Sequence, residues 1–286
     1  MAKTLYREQR KVCGDYMFVD VYPVYECGMT RTKTGKRKKK MKPTSDVMKR
    51  LNDKHSEERA MELIHTNFSD RDYCAHLTYA DGKEPETNEE AQRNLKNFIR
   101  RLTYLYKKNG AELKYFAVGA EGEDKGRKHF HVILNGEVSR ETIESAWKAG
   151  YCNVDRLYFD ETGVASLVGY VMKQIKIGAR RWRASRNLKN AEVKKSRDHV
   201  YTRRDAVDVA MTPYANHLLR LYPGYTLSKE VEYQENLVNG GIYLRIMLYK
   251  DNAKFIQKKY GGQQYVTQSK YSIKDAQLKL GLFSRA

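Results

Sequence analysis

Apolar positions recur with two periods along this chain, and the change from one to the other marks its elements. Asp15 to Cys27 (DYMFVDVYPVYEC) is rich in β-branched and aromatic residues and predicts an extended strand pair around Pro23. Thr44-Ser45-Asp46 then offers a cap to a helix carrying Met48, Leu51, Ala60, Leu63 and Ile64, with its end near Asn67. Cys74 to Ala80 (CAHLTYA) predicts a short strand closed by Asp81-Gly82. Thr87-Asn88-Glu89-Glu90 opens a long helix in which Leu95, Phe98, Ile99, Leu102 and Leu105 fall at helical spacing, and Asn109-Gly110 stops it.

Strands follow at Lys114 to Ala120 and His129 to Asn135, joined by a hairpin-length loop. Ser139 caps a short helix reaching Lys148, Tyr151 to Phe159 predicts a fourth strand, and Thr162-Gly163 precedes a helix from Val164 to Ile175. Beyond it, Ala215 to Leu221 and Gly241 to Tyr249 are the apolar runs of the C-terminal part. The expected fold class is α+β, a mainly antiparallel sheet with flanking helices. The expected organisation has three parts: an N-terminal extension (1–70) with the strand pair, a basic arm and a helix, a central domain (71–204), and a small C-terminal domain (205–286). No internal repeat is evident.

Composition narrows the partners. In 286 residues, 54 Lys and Arg face 35 Asp and Glu, a formal charge of +19, which points to a polyanion, nucleic acid before acidic lipid. A hydrophobic content of 41% is enough for packed cores. No apolar run of about 18 residues exists, so a membrane span is not expected. Met1 to Arg10 is polar and offers no secretory signal, and the cysteines (Cys13, Cys27, Cys74, Cys152) stand far apart, as reduced thiols of a cytoplasmic protein would. The cations cluster. Arg31 to Lys42 holds eight of them, Lys38, Lys39 and Lys40 included, and no acid. A second basic stretch runs from Lys173 to Arg204, where Arg180, Arg181, Trp182, Arg183 and Arg186 mix guanidinium groups with an indole, a combination suited to phosphate contacts and base stacking.

His129-Phe130-His131 is the informative triplet. Side chains alternate along a strand, so both imidazoles share a face and can chelate a divalent ion. With seven histidines in the chain the pair alone carries little weight, and its neighbours decide. Glu121 ends the preceding strand and is the expected third ligand, with Glu123 and Asp124 as competitors. Tyr170 and Lys173 are spaced i, i+3 on one helix face. Phenol has a pKa near 10, and a nearby ammonium favours the phenolate that a nucleophile needs. The alternative for Tyr170, in a chain of 22 tyrosines, is core packing.

Taken in order, Leu77-Thr78-Tyr79, His129-Phe130-His131 and Tyr170-Val171-Met172-Lys173 resemble the three motifs of HUH endonucleases, and more narrowly the single-tyrosine rolling-circle replication initiators of bacterial plasmids and phages. Arg183 to Leu188 (RASRNL) fits the same group. The resemblance runs from Asn67 to Leu188, and the C-terminal segment adds nothing to it. In such proteins the acid sits directly at the end of the second strand. Here Ala120 takes that place and Glu121 follows one step later.

The resemblance implies a metal-dependent, site-specific DNA nickase and joining enzyme. His129, His131 and Glu121 would hold Mn²⁺ or Mg²⁺, Tyr170 would form a 5′-phosphotyrosine link, and Lys173 would assist it. It further implies single-stranded or hairpin origin DNA as partner, a host helicase and polymerase, and a bacterial cytoplasm. Thr34-Gly35-Lys36 is no phosphate loop, since Arg37 stands where Ser or Thr is required, so a separate helicase is expected. A relaxase acting on a mobilisation origin and a non-catalytic nucleic-acid-binding protein are the alternative readings.

Overall fold

The structure is a computed structural model and describes residues 5–25, 46–121, 127–173, 182–212, 216–229, 231–236, 240–253 and 255. Among these, two compact units are present, one of residues 59–190 and one built from 5–58 together with 191–253.

The chain begins with a hairpin. β1 (Leu5–Cys13) and β2 (Tyr16–Val24) pair antiparallel, with Cys13 opposite Tyr16 across a two-residue turn at Gly14, whose φ of 63° suits a residue without a Cβ. The expected strand pair around Pro23 is therefore one strand, and its partner lies upstream. Charges hid β1: its second and fourth positions, Tyr6 and Glu8, are both buried, and Glu8 reads as a surface acid until Arg197 is seen beside it. Pro23 is tolerated because it lies beyond the stretch of β2 that pairs on the other side, Tyr16 to Val21.

α1 (Asp46–Asn67) follows, buried mainly from Ala60 to Ile64, whereas Met48 and Leu51 are exposed. Next come β3 (Tyr73–Tyr79), α2 (Asn88–Lys108) and β4 (Tyr115–Glu121), then β5 (Lys128–Leu134), α3 (Arg140–Ala146), β6 (Gly150–Arg156) and α4 (Ala165–Lys173). Three two-residue strands follow, β7 (Arg183–Ala184), β8 (Glu192–Val193) and β9 (Arg197–Asp198). α5 (Arg203–Met211), α6 (Asn216–Leu221), β10 (Tyr225–Leu227), β11 (Glu232–Asn236) and β12 (Gly241–Lys250) complete the described chain. The α+β class and the antiparallel sheet are as expected.

β12 pairs with β2, so segments expected as an N-terminal extension and a C-terminal domain share one sheet, ordered β10-β12-β2-β1-β8. Local periodicity carries no trace of a pairing that spans most of the chain. The core of this unit gathers Tyr6, Val19 and Val21 with Val209, Ile246 and Leu248.

In the other unit the sheet order is β6-β3-β5-β4-β7, antiparallel throughout. One face is packed by α2 and α3: Leu77, Phe130, Val132 and Leu134 meet Leu95, Phe98, Leu102 and Trp147. Thr87 caps α2 by accepting from the Glu90 amide, so the capping expected from the sequence is present. Trp147 Nε1–H donates to the Thr78 carbonyl (2.8 Å), which ties this core to β3. The opposite face carries the candidate chemistry.

Candidate functional site

β5 brings His129 and His131 to the face that α2 and α3 leave uncovered. The antiparallel register sets His129 against Thr78 and Ala120, and His131 against His76 and Val118. Residues in register share a face, so His76 of β3 joins the pair. The ligating nitrogens of His76, His129 and His131 all lie within 4.8 Å of one another. His76 and His131 stack at 4.5 Å between ring centroids and 9° between planes, and His129 stands edge-on to both, at 5.2 and 5.1 Å.

The donor atoms suit a metal. His76 Nε2 is buried with no hydrogen-bond partner, a costly state for a polar atom unless a ligand satisfies it. His129 Nδ1–H donates to the Arg127 carbonyl (3.2 Å), which fixes the tautomer whose Nε2 offers a lone pair. Burial, and then the nearby His129, lower the His76 pKa and favour the neutral imidazole that coordinates. Cys74, on the same face, is no rival ligand or nucleophile, because burial and then the charge of Asp155 push its thiol up to about 12.

α4 lies over β4 beside this cluster, with Leu167, Val168 and Val171 in the apolar layer formed with Val118 and Ile133. That leaves Tyr170 on the outer side of the helix. It is 57% exposed, so core packing is not its role, and its ring centroid is 5.9 Å from that of His131 at 82°. Lys173 is exposed one turn further on.

The start of α4 is held from below. His65, 3% exposed near the end of α1, donates from Nδ1 to the Met61 carbonyl (2.8 Å), so its Nε2 accepts the Val164 N–H (3.3 Å). Gly163 must be glycine here: its φ is +64°, and a Cβ would sit 1.8 Å from His65 Nε2. Burial lowers the His65 pKa to about 4, against the smaller opposing effects of the Met61 bond and Asp160.

The remaining site expectations fare differently. Glu121 ends β4 in register with Lys128, out of phase with His129 and His131, and its side chain lies outside the described residues. Lys38, Lys39, Lys40, Arg180 and Arg181 also lie outside them, as do Glu123 and Asp124. Trp182 packs on Phe116 at 5.1 Å and is partly buried. Arg183, on β7, is in register with Ala117, while Arg186 is exposed. Two residues escaped the sequence reading. His76 could have been found from the alternation in Cys74 to Ala80 had the strand neighbours been known. Nothing in the sequence singles out His65.

Residues 72–176 match the family model of the replication-associated protein ORF2. The match supports a replication-initiator (Rep) family, as the motif resemblance implied. This segment contains the three histidines, Tyr170 and Lys173, and excludes His65 and Trp182. No curated protein and no solved structure matches the chain significantly. Among the described residues no helix is long and apolar enough to cross a membrane.

Proposed function

We propose that this protein initiates rolling-circle replication by nicking and rejoining DNA at a specific site through a 5′-phosphotyrosine intermediate. The observation that carries the reading is an exposed tyrosine on α4 beside three clustered imidazoles, within a segment that matches a replication-associated family. His76, His129 and His131 would hold a divalent ion. That ion, when bound, neutralises charge on the scissile phosphate. An all-nitrogen donor set suits a borderline first-row ion better than Mg²⁺.

Tyr170 Oη forms the bond to phosphorus as the bond to the 3′-oxygen breaks. The phenol gives up its proton, the departing oxygen gains one, and a free 3′-hydroxyl remains for a polymerase. Lys173, one turn along the same helix face, offsets the negative charge that develops. The covalent link conserves the phosphodiester energy, so rejoining needs no nucleotide. A host helicase, a polymerase and a cytoplasmic setting belong to the same reading. The replication-associated match weighs against a mobilisation relaxase.

The test is adduct formation with single-stranded origin oligonucleotides in Mn²⁺. Wild type forms a covalent complex resistant to denaturant. Tyr170→Phe forms none while still binding DNA. An adduct that survives in Tyr170→Phe reassigns the nucleophile, and a wild type that binds DNA without cutting supports the non-catalytic reading.

A further inference from the structure

The histidine face does not end at His76. Its next strand, β6, is the sheet edge, and the register sets Tyr151 against Thr78, Asn153 against His76 and Asp155 against Cys74. Alternation therefore presents Tyr151, Asn153 and Asp155 in one line, on the same face as the imidazoles. All three are exposed, and Tyr151 leaves 73% of its surface in solvent. Asn153 and Asp155 are locked side by side by a 2.8 Å bond from Nδ2 to Oδ2. At about 4.8 Å per strand, Tyr151 lies roughly 10 Å from His129, and Asn153 the same distance from His131. An open cleft of about 370 Å³ continues from His76 and His131 to Asn153, Asp155 and Ser166.

These residue types are a poor choice for a merely solvated edge. An edge strand is protected from pairing with other chains by charge, lysine above all, and an exposed aromatic works against that protection. In a chain of net charge +19 that meets polyanions, an acid beside the reactive centre repels phosphate. A carboxylate there is suited to the donor groups of a base edge, the N–H groups of cytosine, adenine or guanine. An exposed phenol ring is suited to stacking on a base face.

We propose that β6 carries a nucleobase-reading strip for single-stranded DNA, in which Tyr151 stacks one base next to the scissile phosphate and the Asn153–Asp155 pair hydrogen-bonds a neighbouring one. The strip makes part of the site specificity. It rests on the nicking reading for the position of the phosphate but not for binding itself.

The test uses the full chain in EDTA, so that binding is read apart from cutting. A random single-stranded pool is selected on wild type, and the enriched oligonucleotide is labelled with fluorescein. Tyr151→Ala should weaken binding about tenfold, the value of one stacked base, and Tyr151→Trp should restore it. Asp155→Asn should keep overall affinity within about threefold but change the base enriched at one position when the pool is selected again. Unchanged affinity in Tyr151→Ala, or an unchanged base preference in Asp155→Asn, overturns the strip. A parallel Mn²⁺ reaction of wild type reports the adduct. Base preference that responds to Asp155 without any adduct would keep the strip and remove the nickase.

Discussion

Protonation of His65 should selectively loosen the unit that carries the site. The ring is buried and neutral in the fold: Nδ1–H is committed to the Met61 carbonyl, and Nε2 accepts the amide at the entrance to α4. A second proton would set donor against donor at Val164, in a space already closed by Gly163. The pKa falls from 6.5 to about 4. The unfolded chain therefore takes the proton first, and the contribution of the neutral ring is complete above pH 6.5 and is lost as pH falls toward 4. At about 1.36 kcal/mol per unit the whole effect is about 3 kcal/mol, and about 2 kcal/mol is gone by about pH 5. Other groups titrate over the same range, so the measurement is a difference from His65→Gln, which does not titrate. Both tryptophans, Trp147 and Trp182, lie in residues 59–190, so urea unfolding followed by tryptophan fluorescence reports on this unit. Between about pH 7.5 and about pH 5 wild type should lose about 2 kcal/mol more than His65→Gln. Equal losses would show that the imidazole is not held neutral and would refute the docking of α4 described here.

Gly163→Ala should destabilise the same unit by at least about 1–2 kcal/mol from its left-handed backbone alone, and more from the contact with His65. The double variant with His65→Ala should cost less than the sum, and strict additivity in the urea midpoints would argue against the contact. In the other unit, Glu8→Gln should cost about 2 kcal/mol, because a carboxylate only 1% exposed accepts from Arg197 Nε (2.9 Å) and Nη2 (3.0 Å). Hydrogen exchange read on peptides covering 5–24 should quicken there and stay unchanged across 73–79. Titration calorimetry with Mn²⁺ should show His76→Ala losing at least about tenfold in affinity while Glu121→Gln changes it by less than about twofold. The reverse pattern would assign the third ligand to Glu121.

Much of the fold around the site was legible because its elements announce themselves locally. Thr87 at the cap of α2, the five apolar positions behind it, and the alternation in β3, β5 and β6 are all short-range signals. What was not legible depends on pairing at a distance. β1 carries charge at most positions, and its Glu8 becomes a core residue only through Arg197, 189 residues away. β12 joins β2 across most of the chain. His65 is ordinary in a helix until α4 folds back over it.

The third imidazole shows how the two kinds of information combine. His129-Phe130-His131 gives a face but not its neighbours, and a hairpin makes the preceding strand the natural place to seek a third ligand. In an antiparallel sheet, however, β5 has two neighbours, and a side chain joins its face only if it is in phase. On β4 the in-phase positions are Val118 and Ala120, which have no donor, and Glu121 falls one residue late. On β3 the in-phase positions are His76 and Thr78, and the first is an imidazole with a buried nitrogen lacking a partner. Phase, and not proximity in sequence, therefore favours His76. The same argument carried one strand further reaches Tyr151 and Asn153. A single register thus orders a metal-binding row and a base-facing row on one surface, and shifting β3 by one residue would remove both from the face that Tyr170 overlooks.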